Sequence, residues 1–464
     1  MKTVLISLSS QAVFRNLFFF PKSFFDRLVI VLRDKKDMRV VILVPERSYQ
    51  KYLPLLADRL NERLILEPVI RLGRKTSIQQ ICIFFYSYLI YTGTTKLMAT
   101  MGTRPDEPPA GGKWFLAPVK YIISRVAGRS HWIKTKVVPN LFLRLFREHA
   151  FDPLFRKYHP DRVFVPHVYG WFDTLLLAEA KQNNVHTIGM PAGWDHLDKY
   201  YLPLHVDTLL VPSEQVKRAA VNYQSYDSDI IHIVGYPHFD FIINKEYIHS
   251  RTQTLAFLGF PENTKYILYV SGSSYCPDEP DIIETMLRWM DQGKFSVDVR
   301  LVIRPYLGGR SKDKEFDEEK FNRFASHPRV TFYRPDFWGN VHESVDFINI
   351  MRHADAVLAV YTTMVLEASV LDRPLVAVAF DGYHDRPLAR SIRRFEQFEH
   401  FQDVLKTGAM RTAYNFDELF TILDTYLKNP NLDAEKRQRL RDTLCYKLDG
   451  KVSERIITEV LSHL

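Results

Sequence analysis

The sequence predicts an α/β chain of two domains, each built on a parallel sheet. Three observations carry this expectation. The 464 residues exceed what a single hydrophobic core normally organises. Short, nearly all-apolar runs recur along the chain, among them Val4–Leu8, Val40–Val44, Val206–Val211 and Tyr266–Val270; such runs suit strands buried on both faces. Helical stretches separate those runs, as they do where crossover helices join parallel strands.

The chain opens with strand Val4–Leu8, helix Ser23–Arg33 and strand Val40–Val44, a βαβ unit. Leu64–Leu66 and Val69–Leu72 are expected as two further strands. Ile81–Tyr91 is apolar and rich in Tyr, and is expected as a buried helix, with an interfacial helix as the alternative. No apolar run reaches the roughly 20 residues a spanning helix needs. Met1–Leu8 reads as a first strand rather than a secretory signal. Thr100–Gly112, rich in Pro and Gly, is expected as an exposed loop.

Lys113–Arg147 holds eight basic residues and no acid, interleaved with Trp114, Phe115, Tyr121, Trp132, Phe142 and Phe146. That mixture suits an anionic membrane surface. It also suits an ordinary helical pair with aromatics in the core and basic groups in water. Nucleic acid is a third reading, but no nucleic-acid module accompanies the stretch, so no nucleic-acid partner is expected.

Strand Arg162–Pro166 leads to His167 and a helix at Asp173–Lys181. Strand Val185–Met190 leads to Gly193-Trp194-Asp195-His196. His167, Asp195 and His196 thus follow strand ends, where α/β sheets bind their ligands. Strands Val206–Val211 and Ile230–Val234 come next. The polar segment Asn244–Asn263 marks the domain boundary. Beyond it, strand Tyr266–Val270 runs into Ser271-Gly272-Ser273-Ser274, a small hydroxyl-rich loop able to cradle a diphosphate. Strand Val299–Ile303 ends at Arg304, whose guanidinium can clamp phosphate. Gly308–Lys320 is expected as a solvated charged loop. Val330–Tyr333 is expected as a strand and Ser344–Met351 as a helix.

Ala354–Gly382 reads as strand Val357–Val360, helix Thr363–Leu371 and strand Leu375–Phe380, closed by Asp381-Gly382. Thr362 and Thr363 stand at the helix start, where hydroxyls and free N–H groups favour an anion. Glu367 lies one turn further on. Helices Asn415–Leu427 and Asp433–Leu464 close the chain.

This segment resembles the donor-binding motif of GT-B glycosyltransferases, more narrowly the group of CDP-glycerol glycerophosphotransferases and surface-polysaccharide glycosyltransferases. Three other stretches resemble motifs of the same group: Gly193-Trp194-Asp195-His196-Leu197, Val234-Gly235-Tyr236-Pro237-His238-Phe239-Asp240, and Leu448-Asp449-Gly450 through Arg455-Ile456. His196 stands where the group's first motif has Asn. The resemblance implies two Rossmann-like domains facing across a cleft: an acceptor domain over 1–245, with the basic-aromatic insertion 113–147, and a donor domain over 262–430. A terminal helix, 431–464, would cross back.

It further implies transfer, with no cofactor, of a sugar or polyol phosphate from a nucleotide-sugar donor to a glycan or lipid-linked acceptor. No Asp-x-Asp triplet falls in these motifs, so the transfer is expected to be metal-independent rather than of the metal-dependent GT-A kind. Ser271, Gly272, Ser273, Ser274, Arg304, Thr362, Thr363, Glu367 and Asp381 would bind the donor, with Glu367 on the ribose. Asp195 or His196 would serve as base, with His167 as the third candidate. A UDP-N-acetylglucosamine 2-epimerase and a non-catalytic nucleotide-sugar-binding subunit remain alternatives.

The composition agrees with a globular chain, 46% hydrophobic and 25% charged. Three widely spaced cysteines, Cys82, Cys276 and Cys445, exclude a disulfide scaffold and offer no Cys/His metal spacing. The net charge of +8 suits anionic substrates or surfaces. The expected location is cytoplasmic, or peripheral on the inner face of the cell membrane.

Overall fold

The apolar runs become strands of two all-parallel sheets in the computed structural model, which describes residues 1–70, 75–101, 114–146, 150–306, 312–335, 341–462 and 464. The first sheet holds β1 (Lys2–Ser7), β2 (Met38–Pro45), β3 (Leu64–Val69), β4 (Arg162–Val165), β5 (His186–Gly189), β6 (Thr208–Val211) and β7 (Ile231–Ile233). Their order is β3-β2-β1-β4-β5-β6-β7. Val4 pairs with Val40 on one side and with Arg162 on the other. Val4, Leu5 and Ile6 are all fully buried, as expected where crossover helices cover both faces.

The second sheet holds β8 (Lys265–Val270), β9 (Val299–Arg304), β10 (Val330–Phe332), β11 (Ala356–Ala359), β12 (Leu375–Val378) and β13 (Met410–Ala413), in the order β10-β9-β8-β11-β12-β13. Ile267, Leu301, Leu358 and Val376 form its core with Met286 and Leu423 from flanking helices. The strand order reverses between β1 and β4 in the first sheet and between β8 and β11 in the second. Both domains are therefore Rossmann-like, with ligand positions expected at the carboxyl ends beside each reversal.

Two compact units result. One comprises Met1–Thr95, Leu116–Phe241 and Tyr446–Leu464; the other comprises Lys96–Phe115 and Ile242–Cys445. The tail joins the first unit through two of the short motifs. The Asp240 carboxylate accepts the backbone N–H groups of Val452 (3.2 Å) and Ser453 (3.0 Å), capping the Val452–Leu461 helix from a distant part of the chain. Arg455 donates to the Val234 carbonyl (2.7 Å) and pairs with Asp449 (2.9 Å). At the far end, Arg162 donates to the Val460 carbonyl (2.9 Å). Gly235, at φ +98°, has Val452 beside it where a Cβ would stand.

Several expectations need correction. Leu64–Val69 is one continuous strand, not two; residues 71–72 lie outside the described residues, as do 102–112 of the expected loop, Lys113 and Arg147. The Ile81–Tyr91 helix is observed as Ser77–Ser87, and its Ile78 and Ile81 are exposed rather than buried. Within Gly308–Lys320, Lys312–Glu319 is helical, and the Lys320 side chain is buried in an ion pair with Glu279. The expected final helix is broken into Ala434–Leu440, a π turn at Arg441–Cys445 and Val452–Leu461. Among the described residues no helix is long and apolar enough to cross a membrane.

Candidate functional site

In the first domain, the ends of β1, β4 and β5 gather a polar cluster. β1 ends at Ser7, whose hydroxyl donates to the Asp173 carboxylate. Asp173 opens the Trp171–Gln182 helix, a helix otherwise buried as an unbroken run from Phe172 to Ala180. His167, just past β4, sets its Nδ1 3.9 Å from Asp173 Oδ2 and 3.4 Å from Ser9 Oγ. Gly170 makes this approach possible. A Cβ there would stand 2.5 Å from Asp173 Oδ2 and 2.8 Å from His167 Nδ1.

The loop after β5 folds onto the same place. The His196 ring lies 6.2 Å from that of His167, and Tyr169 packs edge-on against both, at 4.3 and 4.2 Å. Tyr200 stacks on Tyr169 at 4.7 Å. Asp195 sits 3.6 Å from His196 Nε2 and 3.6 Å from Lys199 Nζ. The three residues expected from sequence as candidate bases are thus brought together. Sequence reasoning missed Asp173, Ser7, Ser9, Tyr169, Lys199 and Tyr200. The available signal was Asp173, a lone acid in the first turn of an apolar helix.

The electrostatics follow from burial. Asp173 is fully buried, which pushes its carboxyl up to about 7. Burial, with the neighbouring His196, pushes the His167 imidazole down to about 4. His167 Nε2 is buried with no hydrogen-bond partner among the described residues. Burial works against the Lys199 ammonium, but Asp195 and Tyr200 outweigh it and hold its pKa above the ordinary value. The Asp173 carboxyl, pushed up to about 7, can hold or release a proton at physiological pH, with the neutral His167 imidazole beside it.

In the second domain, β9, β8 and β11 are neighbours, and Val270 pairs with both Arg304 and Ala359. This register sets Ser271–Ser274, Arg304 and the Val360–Thr363 turn side by side at the carboxyl edge. The serine loop is tied from beneath. Gly272 N–H donates to Glu279 (2.9 Å), as does the Tyr269 hydroxyl (2.9 Å). Lys320 Nζ reaches Glu279 (2.6 Å) and the carbonyls of Gly272 (2.9 Å) and Cys276 (3.2 Å). Ser271 Oγ accepts from Tyr306 N–H (3.1 Å), and Ser273 Oγ donates to Asp317 (2.7 Å). A Cβ on Gly272 would stand 2.8 Å from Val360 and 2.9 Å from the Cys276 sulfur. Ser274 is half-buried.

The Met364–Val370 helix begins one residue later than expected. Thr363 is exposed, and its hydroxyl does not cap the helix. The Thr362 hydroxyl lies 3.5 Å from Met364 N. Glu367 is half-buried one turn on, near Cys445, whose thiol is pushed up by burial and by the Glu367 charge. Arg304 lies over the Phe347 ring at 5.2 Å. Asp381, buried after β12, accepts Ile392 N–H (2.9 Å) and so organises its own loop.

Asp278, Asp281 and His384 bring ligand atoms within 4.8 Å of one another. The Arg386 guanidinium already occupies the Asp278 carboxylate, and Asp281 accepts Tyr383 N–H (3.2 Å). The sequence contains one Asp-x-Asp triplet, Asp227-Ser228-Asp229. It is exposed before β7, at the amino edge of the sheet and so opposite the cluster.

No protein-family model matches the chain, and no curated protein matches it in sequence. Solved structures do match. One is a UDP-N-acetylglucosamine 2-epimerase at 16% identity, covering 100% of this chain and 96% of that one with a TM-score of 0.54. Another is the UDP-GlcNAc 2-epimerase of Neisseria meningitidis bound to UDP-GlcNAc, at 14% identity, 99% and 100% coverage and 0.51. A third is a glycosyltransferase from Rickettsia africae, at 10% identity, 100% and 99% coverage and 0.52. At such identities the likeness is one of fold, and it is consistent across both kinds of enzyme: the chain has the GT-B fold of two Rossmann-like domains.

Proposed function

We propose that the protein is a glycosyltransferase. It moves a sugar, or a polyol phosphate such as glycerol phosphate, from a nucleotide-activated donor to a glycan or lipid-linked acceptor in surface-polysaccharide synthesis, at the inner face of the membrane. The observation that carries this reading is the grouping of His167, Asp173, Asp195 and His196 at the carboxyl edge of the first sheet. Transfer to a hydroxyl needs a group that accepts its proton as the oxygen bonds to the transferred carbon or phosphorus and the nucleotide departs. Asp195 or His196 is that base, with His167 as the third candidate. Arg304 and the Thr362–Thr363 turn stabilise the departing phosphate, with Ser274 beside them, and Glu367 holds the ribose. The polyol-phosphate variant rests on the resemblance to CDP-glycerol glycerophosphotransferases.

A second reading, a nucleotide-sugar 2-epimerase, is favoured by one observation. Burial pushes the Asp173 carboxyl up to about 7, and through His167, 3.9 Å away, it can take and return a proton at a sugar carbon. The two readings part on a single experiment. A thermal-shift panel of UDP, CDP, GDP and their sugars identifies the donor, which is then incubated with and without acceptor glycans or lipids. Acceptor-dependent release of the nucleotide supports the transferase. Conversion of the UDP-sugar to its epimer without acceptor establishes the epimerase instead. Tight binding with no turnover under any condition would make the chain a non-catalytic subunit.

A further inference from the structure

We propose that the Ala117–Val126 helix and the Trp132–Arg144 stripe after it form a face that docks on an anionic lipid surface. The helix is inverted. Val119, Ile122 and Val126 are 43%, 59% and 71% exposed, whereas Lys120 is 3% exposed and Ser124 is buried beside it. The spacing of the three aliphatic residues places them on one stripe, opposite to the arrangement that water selects. The inward polar groups have partners that hold this orientation. Lys120 Nζ lies over the Tyr88 ring at 4.8 Å, and Ser124 Oγ donates to the Tyr121 carbonyl at 2.8 Å. Just beyond the helix, a Cβ on Gly128 would overlap the Leu89 carbonyl oxygen, so the segment is seated closely there.

The following turns add what a lipid interface requires. Trp132 is 66% exposed, and Arg129, Lys136 and Arg144 are exposed around it. Residues 114–146 contain no carboxylate. Trp favours the headgroup region, basic side chains favour anionic headgroups, and an aliphatic stripe favours the acyl boundary. Charge decides the occupant. A second copy would present the same acid-free basic face and be repelled. A nucleic acid would find no use for three exposed aliphatic side chains.

This face rests on the proposed transferase only for the identity of the lipid-linked acceptor; lipid binding itself is read without any turnover. The test is flotation of the full chain with vesicles of phosphatidylcholine alone or mixed equally with phosphatidylglycerol, at low and high salt. The expected result is binding to the anionic vesicles that weakens with salt. Val119→Ser/Ile122→Ser/Val126→Ser should lower the partition coefficient at least about tenfold. Arg129→Gln/Lys136→Gln/Arg144→Gln should lower it about fivefold per charge, on the order of 10² in all. Both variants should keep the wild-type thermal shift with nucleotide, which shows them folded.

Equal binding to neutral and anionic vesicles, no binding at all, or an aliphatic variant that binds as wild type would overturn the proposal. So would a wild-type dimer that the aliphatic variant disperses, or tighter binding to RNA than to the anionic vesicles. Lipid binding without any nucleotide shift would sink the transferase reading and leave the docking face standing.

Discussion

Asp173→Asn and His167→Gln should tilt the pH dependence of stability in opposite directions. Burial raises the folded carboxyl to about 7 and lowers the folded imidazole to about 4, against unfolded values of roughly 3.9 and 6.5. Between about pH 4 and 6.5 the unfolded pair holds one proton, on the imidazole. The folded pair also holds one, on the carboxyl. The count is one whichever of the two groups, 3.9 Å apart, carries it. The wild-type pair therefore contributes almost no slope across this window.

Each substitution unmasks one half. In Asp173→Asn only the depressed imidazole remains. Its stabilising contribution is present above about 6.5 and lost as pH falls to about 4, a change of about 3 kcal/mol. In His167→Gln only the raised carboxyl remains. Its contribution is complete below about 3.9 and lost as pH rises through about 7, a change of about 4 kcal/mol. Calorimetric melts of each variant, referenced to wild type at matched pH, give the two difference curves. Slopes of the same sign, or two flat curves, would refute the buried neutral pair.

Other outcomes follow from the two carboxyl edges. Glu367→Ala should weaken binding of the nucleoside diphosphate at least about tenfold, by loss of charged hydrogen bonds, with an unchanged melting temperature; titration calorimetry showing wild-type affinity would remove the donor site from this helix. Asp195→Asn should lower turnover by the order of 10² while donor binding persists; if it is active and His196→Ala is not, His196 is the base. Lys320→Met should destabilise the second domain by about 3–5 kcal/mol, because Glu279 is left charged and buried; Lys320→Met/Glu279→Gln should melt closer to wild type, and a double variant no better than the single one would argue against the ion pair.

The strands were legible because both faces of each sheet are covered, so burial writes itself as consecutive apolar residues. In the Leu64–Val69 strand, Glu67-Pro68 interrupts the apolar pattern, so the sequence suggests two strands where the fold has one. β3 is an edge strand, and there Pro68 can lack a ladder donor without cost. The 308–320 run looked solvated because its charges are dense. Its key members find partners far away: Lys320 pairs with Glu279, 41 residues earlier, and Asp317 with Ser273, 44 residues earlier. The final helix stops at Cys445, where Tyr446 turns to φ +56°, and it restarts only after Gly450, at φ +72°. His167, Asp195 and His196 were readable as residues that follow strand ends. Asp173 was not, since its partner Ser7 lies 166 residues away and only the pairing of β1 with β4 brings them together.

The serine loop is where composition and geometry diverge. Ser271-Gly272-Ser273 offers hydroxyls and an N–H group in the pattern of a phosphate cradle. In the fold, the Ser271 hydroxyl donates to the Gly272 carbonyl (2.9 Å) and the Ser273 hydroxyl to Asp317, and the Gly272 N–H donates to Glu279. An anion would have to break one of these buried bonds to be bound by them. Thr363, exposed and not engaged as a cap, faces no such cost. Ser273→Ala should therefore register in stability, by about 1–3 kcal/mol as Asp317 loses a buried donor, and leave nucleotide affinity within about twofold of wild type. The same titration that tests Glu367 measures it. A tenfold loss of affinity with no change in melting temperature would return the serine loop to the donor site and show that its internal bonds yield to the phosphate.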